Sequence, residues 1–349
     1  MESAIPRHLQ CPRTQPRRAA DDFVPPFASS VARYDPTVTQ VVMAYFGVQF
    51  RGSSIPIDAR SSLSELAVAF GRERGPGSWD RALYVDEAGF TNVISVAYWK
   101  SPTEFQAWFE QWGVGWTQDA VAGSSVGTFS EIVKPSVERF ETLFSSDLAE
   151  GVAGVSAGLS NPVQEHGYWG GARDRMPISQ TDGLSPSGVP TVITRGRHQR
   201  VIAHDNLCLI RSGQDWRATA GAERRLYIDE VEPVLRAGMD FLRDGGLSVG
   251  CFVNRYMTVL DHAGELTEKR FGMSWWRSLA ALEHWAERHP THLAIFAAAM
   301  RYLTTMGAAA KLRLYHEVTV ATAEQQSFEY YNCHPETGLL RAVLEIESS

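Results

Sequence analysis

Strands alternate with amphipathic helices through both halves of this 349-residue chain. Two helix-opening strings, YWKSPTEFQAWFEQW and WWRSLAALEHWAERH, resemble each other, and a Gly/Ser/Ala-rich stretch lies between the halves. These observations predict an α+β fold of two fused ferredoxin-like units. Their strands pair into an antiparallel β-barrel flanked by helices, rather than into a doubly wound parallel sheet. The predicted organisation is an N-terminal arm over residues 1–30 and a single domain over 31–349, with halves at about 31–160 and 161–349.

In the first half, the apolar, β-rich stretch Val38–Phe50 predicts a buried strand. Ser62 and Glu65 have capping-box spacing ahead of a helix carrying Leu63, Leu66, Ala67 and Phe70. A strand at Thr91–Trp99 runs into Ser101-Pro102-Thr103-Glu104, which supplies an N-cap, a first-turn proline and a capping-box glutamate. The helix that follows sets Phe105, Trp108, Phe109 and Trp112 on one side. Strands at Gly127–Val133 and Val137–Phe144 lead into a loop over Ser145–Gln164.

In the second half, a strand at Asn206–Ser212 precedes a long helix, Ala222–Arg243, interrupted at Pro233 and closed by Gly245-Gly246. A strand over Ser248–Leu260 is followed by a helix over Ser274–Arg288. Pro290 ends that helix and opens another, Thr291–Met306. Strands at Lys311–Ala321 and Phe328–Cys333 complete the chain.

Hydrophobic residues make up 44% and charged residues 21%, an ordinary globular composition. The net charge of −7 argues against nucleic acid or an anionic membrane as the main partner. The longest apolar run, Leu293–Met300, is too short to cross a bilayer, and the N-terminal stretch lacks an apolar signal core. Cys11, Cys208, Cys251 and Cys333 are scattered without a Cys-x-x-Cys pair. This predicts reduced thiols, a cytoplasmic protein and no structural zinc.

Two histidines stand out by position. On the helix after Pro290, His292 shares a face with Ile295, Phe296, Ala299 and Leu303, and Ala297-Ala298-Ala299 leaves little bulk beside it. An axial imidazole for a planar macrocycle needs such surroundings, although a core histidine bonded to a backbone carbonyl fits the same pattern. In the strand KLRLYHEVTV, alternation puts His316 in an apolar row with Leu312, Leu314, Val318 and Val320. A histidine in such a row needs a partner, be it ligand, substrate or backbone.

Ser212 ends its predicted strand on the face of Cys208 and Ile210, next to Gly213, and no Gly-x-Ser-x-Gly elbow surrounds it. Arg173, Asp174 and Arg175 follow glycines that suit close approach to a ligand, and equally suit a solvated turn. Glu141 shares a strand face with Arg139 and Leu143, where a strand-edge ion pair is the plainer account.

The strings HLQCPRT, VVMAYFGVQFRG, EHGYWGGARDRMPISQTD, LIRSGQDW, GMDFLRDGG, HPTHLAIF, KLRLYHEV and NCHPETG resemble, in order and over nearly the whole chain, those of the bacterial aldoxime dehydratases. The resemblance implies a homodimer with non-covalent heme b beside a ferredoxin-like α+β barrel. Chlorite dismutases and dye-decolorising peroxidases share that architecture, and other heme enzymes or a heme sensor are the rival readings. It implies dehydration of R–CH=N–OH to a nitrile, with His292 as proximal iron ligand and His316 as distal acid. Ser212, Arg175 and Glu141 complete the implied catalytic set. One departure is length: 24 positions (316 − 292) separate the two histidines, a few more than in the family pattern, which bears on the roof of the pocket.

Overall fold

The computed structural model describes residues 1–116 and 125–348. After the arm and a short strand β1 (Ala32–Arg33), the first βαββαβ unit runs β2 (Val42–Arg51), α1 (Ile57–Phe70), β3 (Ser78–Val85), β4 (Phe90–Trp99), α2 (Pro102–Trp108) and β5 (Gly127–Val133). A connecting segment holds β6 (Phe140–Phe144), β7 (Gly158–Leu159), α3 (Gly171–Arg175), β8 (Thr191–Arg195) and β9 (His198–Ile202). The second unit runs β10 (Leu207–Asp215), α4 (Gly221–Leu226), α5 (Glu232–Gly245), β11 (Cys251–Leu260), β12 (Leu266–Trp276), α6 (Leu279–Arg288), α7 (Pro290–Met306) and β13 (Arg313–Ala321). β14 (Gln326–Tyr331) and α8 (Leu340–Ser348) follow.

One twelve-stranded sheet has the order β6-β13-β10-β12-β11-β3-β4-β2-β5-β14-β9-β8. Within it, β3-β4-β2-β5 and β13-β10-β12-β11 each have the ferredoxin-like strand order. The second strands of the two units meet at the seam, where Thr258 pairs with Leu83 and Leu260 with Arg81. The pairing is antiparallel throughout, as the sequence predicts.

The likeness between the two strings has a structural basis. Trp99 ends β4 and Ser101 caps α2 through Glu104 N at 3.3 Å; Trp276 ends β12 and Ser278 caps α6 through Ala281 N at 3.1 Å. The helix expected from Ser274 therefore starts at Leu279. Trp275 and Trp276 belong to the strand, one packed in the barrel and the other under the helices.

Other differences have local causes. α1 begins at Ile57 after Pro56, with Asp58 in its first turn, so Ser62 lies inside the helix and caps nothing. The long helix of the second unit carries a five-residue π-turn, Tyr227–Val231, directly before Pro233. A proline cannot donate to the preceding turn, and the extra residue absorbs the break.

β3 and β12 escape the pattern because the largely apolar barrel interior also holds buried ion pairs, so charged residues stand in their inward rows. Curling of the sheet brings β11 against β5, where Arg255 meets Glu131 through two bonds of 2.6 Å, and both side chains are fully buried. Tyr330 and Trp275 donate to the same carboxylate at 2.8 and 3.1 Å. Arg211 reaches Asp80 at 2.5 Å and the Tyr98 hydroxyl at 2.8 Å, and Tyr98 donates to Glu317 at 2.5 Å. Burial pushes the Glu317 carboxyl up, against the pull of Arg211. The row of β13 opposite His316, which includes Tyr315 and Glu317, is thus buried as deeply as the apolar row.

Removing one partner of a buried pair strands the other's charge. Glu131→Ala is expected to lower the free energy of unfolding by about 3–5 kcal/mol, read from urea midpoints. A loss under about 1 kcal/mol would contradict this account of the barrel interior.

Candidate active site

The register of three strands sets the polar wall of a cleft beside the barrel. In β10 and β13, Ser212 pairs with His316; in β13 and β6, His316 pairs with Leu143 and Val318 with Glu141. Because side chains alternate across a strand, Ser212, His316, Leu143 and Glu141 all point to the helix side. β10 does not stop at Ser212 but continues to Asp215. Gly213 lies within the strand, where a Cβ would come 2.0 Å from the Tyr315 ring, so the glycine lets that ring cross the strand.

Arg175 comes from α3. The segment before it approaches its neighbours closely through glycines, since a Cβ on Gly171 would lie 3.1 Å from Arg175 Nη1. The guanidinium is buried. Its Nε donates to Glu141 Oε2 at 2.5 Å, Nη1 to the Glu165 carbonyl at 2.7 Å, and Nη2 lies 2.8 Å from His316 Nε2. Glu141 Oε1 lies 3.1 Å from that same ring nitrogen. Burial alone would raise the Glu141 carboxyl; Arg175, with His316, outweighs it and holds the group below the usual carboxylate range.

With Nε2 unprotonated the His316 ring accepts there from Arg175, and with Nε2 protonated it donates there to Glu141, which leaves Nδ1 free to give or take a proton. Nδ1 has no protein partner among the described residues. The charged turn the sequence allows here is paired instead: Arg173, partly exposed, grips Glu283 at 2.8–3.1 Å, and Asp174 is buried.

The opposite wall is α7. His289 caps it, and Pro290 opens it. His292 Nδ1 donates to the Ala286 carbonyl at 2.8 Å, which leaves the lone pair on Nε2. Trp285 and Trp169 flank the ring, with centroids 4.6 and 5.7 Å away. Burial pushes its pKa down to about 4, despite the carbonyl bond, so the ring is neutral at neutral pH. The carbonyl-bonded histidine and the ligand histidine that the sequence left open are thus compatible, because they use different ring nitrogens.

Further along the same face, Ile295, Phe296 and Ala299 line the cleft opposite His316 and Ser212. The cleft holds about 290 Å³, and about 1120 Å³ when its open mouth is counted. Apart from Ser212, His316 and a few polar groups it is apolar. The long connection contributes to its roof through Met300, Leu303 and Leu312. Phe27 and Ser29 of the arm and Tyr227 of the π-turn line the cleft without having been singled out in the sequence, while Trp169, of the glycine-flanked aromatic pair, packs on His292 and Phe296.

Among the described residues no three His, Cys, Asp or Glu side chains are grouped to hold a bare metal ion. A single neutral imidazole with a free nitrogen, an adjacent run of alanines and an apolar slot instead fit a planar macrocycle whose iron takes one axial nitrogen. The family model described as "Haem-containing dehydratase" matches residues 44–339.

Full-length comparison narrows the class. The chain is 44% identical over 348 residues, 98% of each chain, to the aliphatic aldoxime dehydratase of Pseudomonas chlororaphis. It is 34% identical over 321 residues to the phenylacetaldoxime dehydratase of Bacillus sp. (strain OxB-1), covering 88% of this chain and 90% of that one. A crystal structure of an aldoxime dehydratase in complex with butyraldoxime superposes with a TM-score of 0.93 at 44% identity, covering 98% of this chain and 96% of the other. The chain belongs to the aldoxime dehydratase family of heme-containing dehydratases.

His166, like His292, is held neutral, its pKa lowered to about 4 by burial and by Arg175. Between the ordinary histidine value and about 4, the unfolded chain binds more protons than the folded one, so stability falls as pH falls through that window. In heme-free protein, urea midpoints should drop steadily from pH 7 to pH 4.5. His292→Gln should flatten the slope, and an unchanged slope would show that this ring is not held neutral.

Proposed function

We propose that the protein dehydrates aldoximes, R–CH=N–OH, to nitriles and water, with His292 holding the iron of heme b and His316 acting as the acid. The observation that carries this reading is the Glu141–Arg175–His316 cluster, which opens into an apolar cleft across from the His292 helix. When bound, ferrous heme supplies a seat for the oxime nitrogen and electron density that is lent and regained, so the reaction has no net redox change.

Hydroxide is a poor leaving group, and the N–O bond needs a proton donor. Arg175 and Glu141 occupy Nε2 of His316, so Nδ1 is the nitrogen that carries the proton toward the substrate. Glu141 balances the imidazolium, and Arg175, always charged, holds Glu141 in place against the ring. The Ser212 hydroxyl, at the same register one strand away, bonds the oxime oxygen and fixes its orientation. The proton from His316 joins the hydroxyl, N–O breaks and water leaves. The hydrogen on the oxime carbon then passes as a proton to the neutral ring, which restores it. One aldoxime gives one nitrile and one water.

Leu235, Val231, Met300 and Leu303 offer the R group an apolar seat, and relatives at 44% identity are named for aliphatic aldoximes. Alkyl aldoximes are therefore the favoured substrates. We also read the protein as a cytoplasmic homodimer. The family resemblance and the exposed Ile193 and Ile202 on the outermost hairpin support self-association, and four free cysteines suit a reducing compartment.

Anaerobically reduced protein mixed with butyraldoxime should release butyronitrile; an absence of nitrile overturns the proposal. His316→Ala should retain heme and lose about 10²–10⁴-fold in kcat. Near-normal turnover would remove His316 from the acid role. His292→Ala should purify with little heme, and a full complement would move the ligand elsewhere.

A further inference from the structure

Three buried polar side chains in the segment between the units have the N-terminal arm as their partner. Glu165 accepts from Ala4 N at 2.8 Å and Ser3 Oγ at 3.2 Å; Gln180 accepts from Cys11 N at 3.2 Å and donates to the Leu9 carbonyl at 2.8 Å. Asp174, 1% exposed, accepts at Oδ2 from Arg18 N at 2.9 Å, Ala19 N at 3.3 Å and the Tyr168 hydroxyl at 2.9 Å. Arg13 lies 3.9 Å from its other oxygen. Gly170, at φ +87°, admits the arm here: a Cβ would sit 2.7 Å from Arg18 Cγ. The same segment bears Arg175, bonded to the Glu165 carbonyl on one side and next in sequence to Asp174 on the other.

A buried carboxylate with a fixed set of donors has few alternative positions, so its neighbour in a five-residue helix is fixed with it. Glu141 and His316 hold the tip of the Arg175 side chain, while the Asp174–arm contacts hold the backbone from which it springs. We propose that Asp174 is a positioning residue, and that docking of residues 18 and 19 on it sets the Arg175 guanidinium against Glu141 and His316. The arm thereby belongs to the proton-delivery apparatus, although it is remote in sequence from every group in it. This inference rests on the reading of the Glu141–Arg175–His316 cluster given above.

The test is a double-mutant cycle on reduced holoenzyme, with heme content measured beside kcat and KM. Asp174→Ala is expected to lower kcat by about 10- to 100-fold, the range a misplaced catalytic group produces, with KM within about threefold and heme per chain near that of the parent. Asp174→Asn keeps an acceptor for both arm amides and should recover most of the loss. In an Arg175→Ala background, Asp174→Ala should change kcat by less than about twofold, because the two act as one unit.

Losses that multiply would mean that Asp174 acts independently of Arg175, and an unchanged kcat in Asp174→Ala would mean that the arm has no bearing on the chemistry; either overturns the inference while leaving the cluster intact. A normal kcat in Arg175→Ala overturns the cluster reading and this inference with it. If Asp174→Ala does not fold, Tyr168→Phe, which deletes only one of the bonds to Asp174, should show the same non-additivity with a smaller loss.

Discussion

The polar groups at the cleft owe their mutual placement to the register of β6, β13 and β10. A slip of one residue in either pairing would turn the side chains of a whole strand to the other face and separate Ser212 from His316. The restraint on that register lies behind the site, inside the barrel. Arg211 adjoins Ser212 and is tied to Tyr98 and Asp80 of the other unit; Glu317 adjoins His316 and is tied to the same Tyr98. Burying such charges is costly, but their bonds are directional, and an apolar interior would resist sliding less.

The two walls of the cleft are anchored differently. The sheet wall is held by the register and by the Arg175–Glu141 pair. The helix wall depends on α6: the Ala286 carbonyl orients His292, and Trp285 packs against its ring. The ring nitrogen that faces away from α6 is the one left with a lone pair. One backbone bond thereby settles both the tautomer and the direction of the imidazole.

Much of this was legible in the residues. A histidine on an apolar helix stripe after a proline, and another in an apolar strand row, were visible from period alone, and the paired Trp–Ser strings marked the same strand-to-helix corner twice. Strands β3 and β12 were not legible, because period-two patterning assumes a dry interior and here the interior rows hold Asp80 and Lys269. Arg175 looked like part of a solvated turn because its partners lie 34 and 141 positions away, beyond any local pattern. The resemblance to a family supplied those residues where local chemistry could not.

The repeat is symmetric in topology and unequal in content. In the first unit the space between helices and sheet is filled by Phe46, Phe70, Trp99 and Trp108, with ring centroids 5.0–6.0 Å apart. In the second unit Trp276 and Trp285 repeat the Trp99–Trp108 pair at 5.5 Å, but α7, which has no counterpart among the described residues of the first unit, stands off and leaves a slot. The first unit is thus a packed support, while the second carries the slot that faces His316 and Ser212. Substitutions around α7 bear on what the slot holds, and substitutions in the aromatic wedge bear on stability. Repacking the slot and repacking the wedge are therefore separate changes within one continuous sheet.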